Sequence, residues 1–240
     1  MVFIIKNRIK GFKVCQIWFA DKPVDVNGFD RVMYYWPKSK PDDKSFRETA
    51  SYLPMVNLEH PLEDIFKGFN DTTRYEVRKA EKEAIKYKMN SDYEEFLNIF
   101  NSFIKEKKLN LPNMTKEIIL QQNHLLFNAY KDDKLLVSHF YLVEENMLFL
   151  VFSTSILPKI QDKKDEQAIS MSSRYLHYQA MKYGKESGYK NLCFGSIGND
   201  PDSQEGRVKF KLGFGGEIIK KDFYTKDYSY LLKFLSLIVK

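Results

Sequence analysis

The chain has 240 residues, room for one large domain or two small ones, and its 43% hydrophobic and 15% aromatic content excludes a disordered protein. No apolar run approaches the roughly 18 to 20 residues that span a bilayer, which excludes a helical membrane protein. The formal charge of +6 is spread along the sequence and fits an anionic small substrate or a membrane-adjacent setting at least as well as nucleic acid.

The opening MVFIIKNRIKGF has too short an apolar core for a signal peptide. Two cysteines, Cys15 and Cys193, make no disulfide framework, so the expected setting is soluble and cytoplasmic. FKVCQIWFA and RVMYYWP are aromatic and β-branched and predict strands, with turn chemistry in KPVDVNGFD between them. HPLEDIFKGF starts a helix at its proline, and NDTT caps a second, RYEVRKAEKEAIKY. DYEEFLNIFNSFIKEKKL carries Phe96, Ile99, Phe100 and Phe103 at helical spacing, and TKEIILQQNHLLFNAY reads as a further helix of the same kind.

From residue 131 the pattern changes. KLLVSHFYLVEENMLFLVFSTSI predicts two strands around Glu144-Glu145-Asn146. SMSSRYLHYQAMKYGKESGY predicts a helix that starts at its serines and ends near Gly188. KNLCFGSI is a short buried strand, and YSYLLKFLSLIV is read as a closing strand. The fold class is mixed α/β, with a strand-rich segment at 1–58 packing on a main domain at 59–240.

Several residues invite a chemical reading. Arg74 and Arg78 stand four apart on one helix face, the spacing of an anion clamp, although pairing with Glu76, Glu81 and Glu83 explains them equally. His139 interrupts an apolar strand, and a histidine titrating near its usual 6.5 suits a general base, although an outward-facing strand residue accounts for it as simply. Ser170, Ser172 and Ser173 crowd the expected start of a helix, where free N–H groups hold a pyrophosphate, or where one serine simply caps. His60, His124 and His177 have no ligand spacing with one another or with the cysteines, so no metal is expected. No dinucleotide or Walker-type glycine fingerprint is present.

EGRVKFKLGFGGEI, residues 205–218, sets Lys211 between Phe210 and Leu212 ahead of Gly213-Phe214-Gly215-Gly216. VKFKLGFGGEI resembles the Phe-Lys-x-x-Phe-Gly-Gly motif of the FemAB-like branch of the GNAT acyltransferase superfamily. TTRYEVRKAEKE is similar to that branch's Thr-Arg-x-x-Ile-Arg-Lys-Ala motif, in the right order. The resemblance spans roughly residues 60–230. It implies a GNAT-like twisted, splayed mixed sheet flanked by helices, and acyl transfer to a primary amine.

It further implies that Lys211 faces the reacting carbonyl with Phe210 beside it, and that Phe152, Ser153 and Thr154 align the donor's pantetheine arm. The chain departs from the pattern at LCFGSI, where Cys193 replaces an acid, and lacks the glycine-bearing coenzyme A loop between Ser155 and Ser170. Ser170, Ser172 and Ser173, with Lys163 and Lys164 near them, are then the candidates for the pyrophosphate.

The expected activity is N-acyl transfer from acyl-CoA to the amine of a nucleotide-linked amino sugar in surface polysaccharide biosynthesis. Lys211 would stabilise the oxyanion and His139 take the proton. Arg74 and Arg78 would hold the diphosphate, and Tyr35 and Trp36, with Tyr34, would stack on base or sugar. The alternatives are an aminoacyl-tRNA-dependent FemAB-type transferase of peptidoglycan bridge formation, or a binding module that kept the fold without the reaction. Neither DNA nor a membrane span enters any of the three.

Overall fold

The computed structural model describes residues 2–108, 114–156 and 163–238, with side chains to Phe234. Its first half is built from strands β1 (Phe3–Ile9), β2 (Phe12–Trp18), β3 (Arg31–Tyr35) and β4 (Arg47–Asn57). Helices α1 (Leu62–Lys67) and α2 (Asp71–Lys82), strand β5 (Lys86–Met89) and helices α3 (Tyr93–Glu106) and α4 (Lys116–Leu120) follow. The second half contains β6 (His124–Lys131), β7 (Lys134–Glu144), β8 (Met147–Ser155), α5 (Lys163–Glu186) and β9 (Asn191–Cys193). It continues through α6 (Gly206–Leu212), β10 (Glu217–Asp227) and α7 (Tyr230–Ile238).

All ten strands form one mixed sheet in the order β1-β2-β3-β10-β4-β9-β8-β7-β6-β5. β10 inserts between β3 and β4, pairing antiparallel with both, so the strands before residue 58 are woven into the same sheet as the rest. Helices α2 and α5 cover one face over a core containing Leu148, Leu176 and Phe194, and α3 covers the other over Phe96, Phe140 and Phe149. This is the mixed α/β class, a mixed sheet flanked by helices, that the sequence implies.

Local chemistry explains most boundaries. The Asn70 side chain accepts from the Thr73 N–H at 2.8 Å and caps α2, as NDTT predicts. Gly188, at φ +82°, ends α5 in the left-handed region that glycine enters without strain. Glu145-Asn146 turns β7 into β8.

Three sequence readings are corrected. The helix read over TKEIILQQNHLLFNAY stops at Leu120, and its second half is β6: Leu125, Leu126 and Phe127 are buried on both faces of an interior strand, a pattern that periodicity does not separate from a helix. YSYLLKFLSLIV is helix α7, not a strand. The helix read from Ser170 begins seven residues earlier, at Lys163. The stretch between KNLCFGSI and YSYLLKFLSLIV, given no element from the sequence, holds helix α6 and the long strand β10, which is buried only at Tyr224 and Thr225.

Candidate active site

The sheet opens where β8 and β9 part. Their parallel pairing runs Met147↔Asn191, Leu148↔Leu192, Phe149↔Cys193 and ends there, while β8 continues to Ser155. A bulge in β8 adds to the divergence: Phe140 faces Phe152 and Tyr141 faces Leu150, leaving Val151 as the extra residue. Gly195 crosses the gap at φ +69°, so close to β8 that a Cβ there would stand 2.8 Å from the Leu150 carbonyl oxygen.

A cavity of about 370 Å³ occupies this opening. Its walls are Phe149 to Phe152 from β8, Gly195 and Ser196 after β9, Ser51 from β4, and the aromatic rings of Trp18, Tyr35, Trp36 and Phe223. Trp18 stacks on Tyr35 with centroids 4.8 Å apart, and Tyr35 on Phe223 at 5.5 Å.

Helix α6 aims Lys211 into this cavity, the one charged residue among the described residues that line it. Its ammonium donates to the Ser196 carbonyl at 2.9 Å. Ser196 is itself fixed by a 2.7 Å hydroxyl pair with Ser51 and by the Gly198 N–H at 2.9 Å. Burial among aromatic walls pushes the Lys211 pKa down from 10.5 to about 8, with Arg207 adding a small repulsion. Most Lys211 side chains are therefore still cationic at neutral pH, and a desolvated cation acts on a nearby charge more strongly than one in water. Two of its three protons remain free to meet a ligand oxygen.

The glycines after Lys211 serve close backbone packing. Gly215 and Gly216, at φ +69° and +86°, bring their backbone against α1 and β4: a Cβ would lie 2.5 Å from the Gly68 oxygen and 2.2 Å from the Met55 oxygen. The Asn70 N–H donates to the Gly213 carbonyl at 2.9 Å, and a Cβ on Gly213 would strike Thr73. The two sequence motifs thus touch, and the glycine turn seats the start of α2 while setting the position of α6.

Of the residues singled out in the sequence, the fold brings Lys211, Tyr35, Trp36 and Phe152 together around the cavity. Ser153 is exposed on β8 and Thr154 is buried beside it. The others lie elsewhere. His139 is fully buried, its Nε2 at 3.1 Å from Ser173 Oγ and its ring 3.9 Å from that of His177; burial pushes its pKa down to about 3. It is a neutral core histidine, off the cavity lining, which corrects its reading as a general base.

Arg74 spends its guanidinium on the Lys67 and Phe69 carbonyls and the Asp71 carboxylate, closing the end of α1, and Arg78 lies over the Phe66 ring at 5.3 Å. Neither lines the cavity, so the diphosphate clamp is corrected as well. Ser170, Ser172 and Ser173 sit inside α5, not at its start. Ser170 donates to Glu76 at 2.9 Å, Ser173 meets His139, and Ser172 is fully buried, so a pyrophosphate site built on a helix end at these serines is corrected too. Lys163 and Lys164 do open the helix, and the segment before them lies outside the described residues. The Phe210 side chain turns from the cavity to lie under Arg174, 4.6 Å from the guanidinium, which is held by Glu76 at 2.8 Å.

Sequence reasoning missed Trp18, Ser51 and Ser196, because small and apolar residues carry no chemical label until strands distant in sequence place them side by side. Cys193, whose thiol burial pushes up to about 12, packs inertly at the end of β9. Among the described residues no cluster of three or more histidine, cysteine or acidic side chains is disposed to hold a metal, and no helix is long and apolar enough to cross a membrane.

No protein-family model matches the sequence, and no curated protein does. Solved structures do. The C-terminal domain of a protein named as a lysylphosphatidylglycerol synthetase, from Agrobacterium fabrum, superposes with a TM-score of 0.61 at 14% identity, covering 99% of this chain and 84% of that one. FemX gives 0.57 at 11%, covering 99% and 86%, and L-PGS from Bacillus licheniformis gives 0.54 at 12%, covering 98% and 88%. At these identities the likeness is one of fold alone, and the chain has the fold that these proteins share.

Proposed function

We propose that this chain transfers an acyl group from an activated ester or thioester to a nucleophile, with Lys211 as the catalytic residue. The observation that carries this reading is the geometry of one ammonium: held by Ser196, desolvated, and aimed into a cavity at the parting of two strands. When an amine or hydroxyl attacks the donor carbonyl, the new bond forms at carbon and negative charge gathers on oxygen. The two free N–H groups of Lys211 meet that charge, and it disperses as the donor's oxygen or sulfur leaves. A pre-positioned donor of this kind contributes about 3 to 4 kcal/mol to the barrier. No carboxylate or imidazole lines the cavity among the described residues, so the proton of the nucleophile passes to solvent at the open side of the cleft.

Of the donors set out from the sequence, an aminoacyl ester carried by tRNA draws more support from the similar structures, since FemX, L-PGS and a protein named as a lysylphosphatidylglycerol synthetase share the fold over nearly the whole chain. A coenzyme A thioester is the second reading, favoured by the unpaired edge of β8 beyond Phe149, which suits a pantetheine arm, and by the acid-free cavity lining. The nucleotide-linked amino sugar has no comparable support, because the arginines assigned to its diphosphate are engaged elsewhere.

Single-turnover assays with charged tRNA and with acyl-CoA, each against a panel of amine and hydroxyl acceptors, test the reading. Turnover with either donor that drops several hundred-fold in Lys211→Met supports it. Full activity in that variant refutes it.

A further inference from the structure

We infer that Trp36 sets the length of the acyl chain accepted; this rests on the reading of Lys211 as the residue at the acyl carbonyl. The Lys211 cavity does not end at its aromatic wall. A second cavity of about 160 Å³ lies behind it, and the two share Trp36 and Phe149. Three strands place the cavities in the same order. Along β8 the first takes Phe152 to Phe149 and the second Phe149 to Met147; along β4 the first takes Ser51 and the second Leu53 and Met55; along β10 the first takes Phe223 and the second Lys221.

A chain whose carbonyl sits at Lys211 and which follows β8 toward Met147 travels about 16 Å at 3.3 Å per residue. It meets one obstruction. The rings of Trp36 and Phe149 stand 4.6 Å apart, with Phe19 5.2 Å from Phe149, and together they close the passage.

Trp36 is an unusual choice for a mere wall. It follows the last residue of β3 at φ +50°, a left-handed conformation that a bulky residue enters only under strain. Its indole N–H is buried and has no acceptor. A ring held in place at this expense, between two cavities, acts as a stop. The second cavity adds Phe19, Leu53, Met55 and Met147, together with Lys38, Lys221, Glu144 and Glu145, of which Lys38 bonds Glu145 at 2.7 Å.

Both tryptophans of the chain, Trp18 and Trp36, line the Lys211 cavity, so intrinsic fluorescence reports its occupancy directly. The test titrates the whole protein with straight-chain alkanoates from butanoate to dodecanoate, whose carboxylate pairs with Lys211. Affinity rises about fourfold per methylene up to a limiting length. In Trp36→Ala, read through Trp18, the limit moves out by several methylenes; Trp36→Leu serves the same purpose if the alanine variant does not unfold cooperatively.

An unchanged limit in both variants overturns the inference. Failure of the catalytic reading looks different. In that case Lys211→Met keeps its transfer activity whatever the chain-length series shows.

Discussion

Two places among the described residues bury basic side chains without an opposite charge. On one face of the sheet His139 and His177 stack at 3.9 Å, sealed by core, with Tyr141 Oη on His177 Nδ1 at 2.7 Å. At the sheet's opening Lys211 is desolvated to a pKa of about 8 yet borders a cavity. Both are perturbed by burial, and the histidines more severely. What separates them is access. Perturbation alone marks a group as buried; perturbation beside an empty volume that a substrate can enter marks a site.

The largest effect should come from Lys211→Met. We expect turnover to fall several hundred-fold while the thermal midpoint holds or rises, because the variant removes a desolvated charge from the folded state. Denaturation and kinetics measured on the same preparation would reveal the opposite pattern if Lys211 were structural.

Next is Gly216→Ala. With φ at +86° and a Cβ 2.2 Å from the Met55 oxygen, it should destabilise by about 3 kcal/mol or more in urea unfolding, since the turn that sets α6 has no room for a methyl group. A variant as stable as the parent would mean that the turn does not fix Lys211.

The pH dependences separate the two regions by sign. Both histidines have folded pKa values pushed below the unfolded 6.5, so the unfolded chain binds more protons under that pH. Stability should therefore fall as pH drops below about 6.5, by about 1.4 kcal/mol per unit for each histidine, until the folded values are reached. His139→Leu should remove one such slope and leave turnover within about threefold; a large drop in turnover in that variant would return His139 to the chemistry.

Lys211 acts in the other direction. Its stabilising charge on the oxyanion is present below a pKa of about 8 and lost above it, so the rate should decline tenfold per unit on the alkaline side. Lys211→Arg should move that decline upward. A rate that climbs through pH 8 in step with Lys211 deprotonation would recast the lysine as a base. The smallest effect is expected of Arg74→Lys, which should cost about 1 kcal/mol of stability by losing one bond to the α1 carbonyls, with no change in substrate affinity.

The parts of the fold that were legible share a property: their signals are local. Asn70 capping α2, Gly188 ending α5 and the turn at Glu144-Glu145-Asn146 act within a few residues. The parts misread depend on surroundings. β6 reads like a helix because a core on each side of the sheet buries both of its faces, and β10 hides behind lysines because its first residues are exposed on both faces. The serines of α5 mimic a cap, but the helix had begun two turns earlier, and Ser170 answers Glu76 on a neighbouring helix.

What the sequence determined by itself was the class of fold, and it singled out as a candidate a lysine flanked by Phe210 and Leu212 ahead of a glycine turn. The tertiary structure alone decided what that cation faces. Ser51, Trp18, Trp36, Phe152 and Ser196 come from five separated stretches, and their proximity follows from β10 threading between β3 and β4 and from β8 leaving β9 after Phe149. Hydrogen bonding along a strand is set by its neighbours in space, and so, therefore, is the gap where those neighbours part.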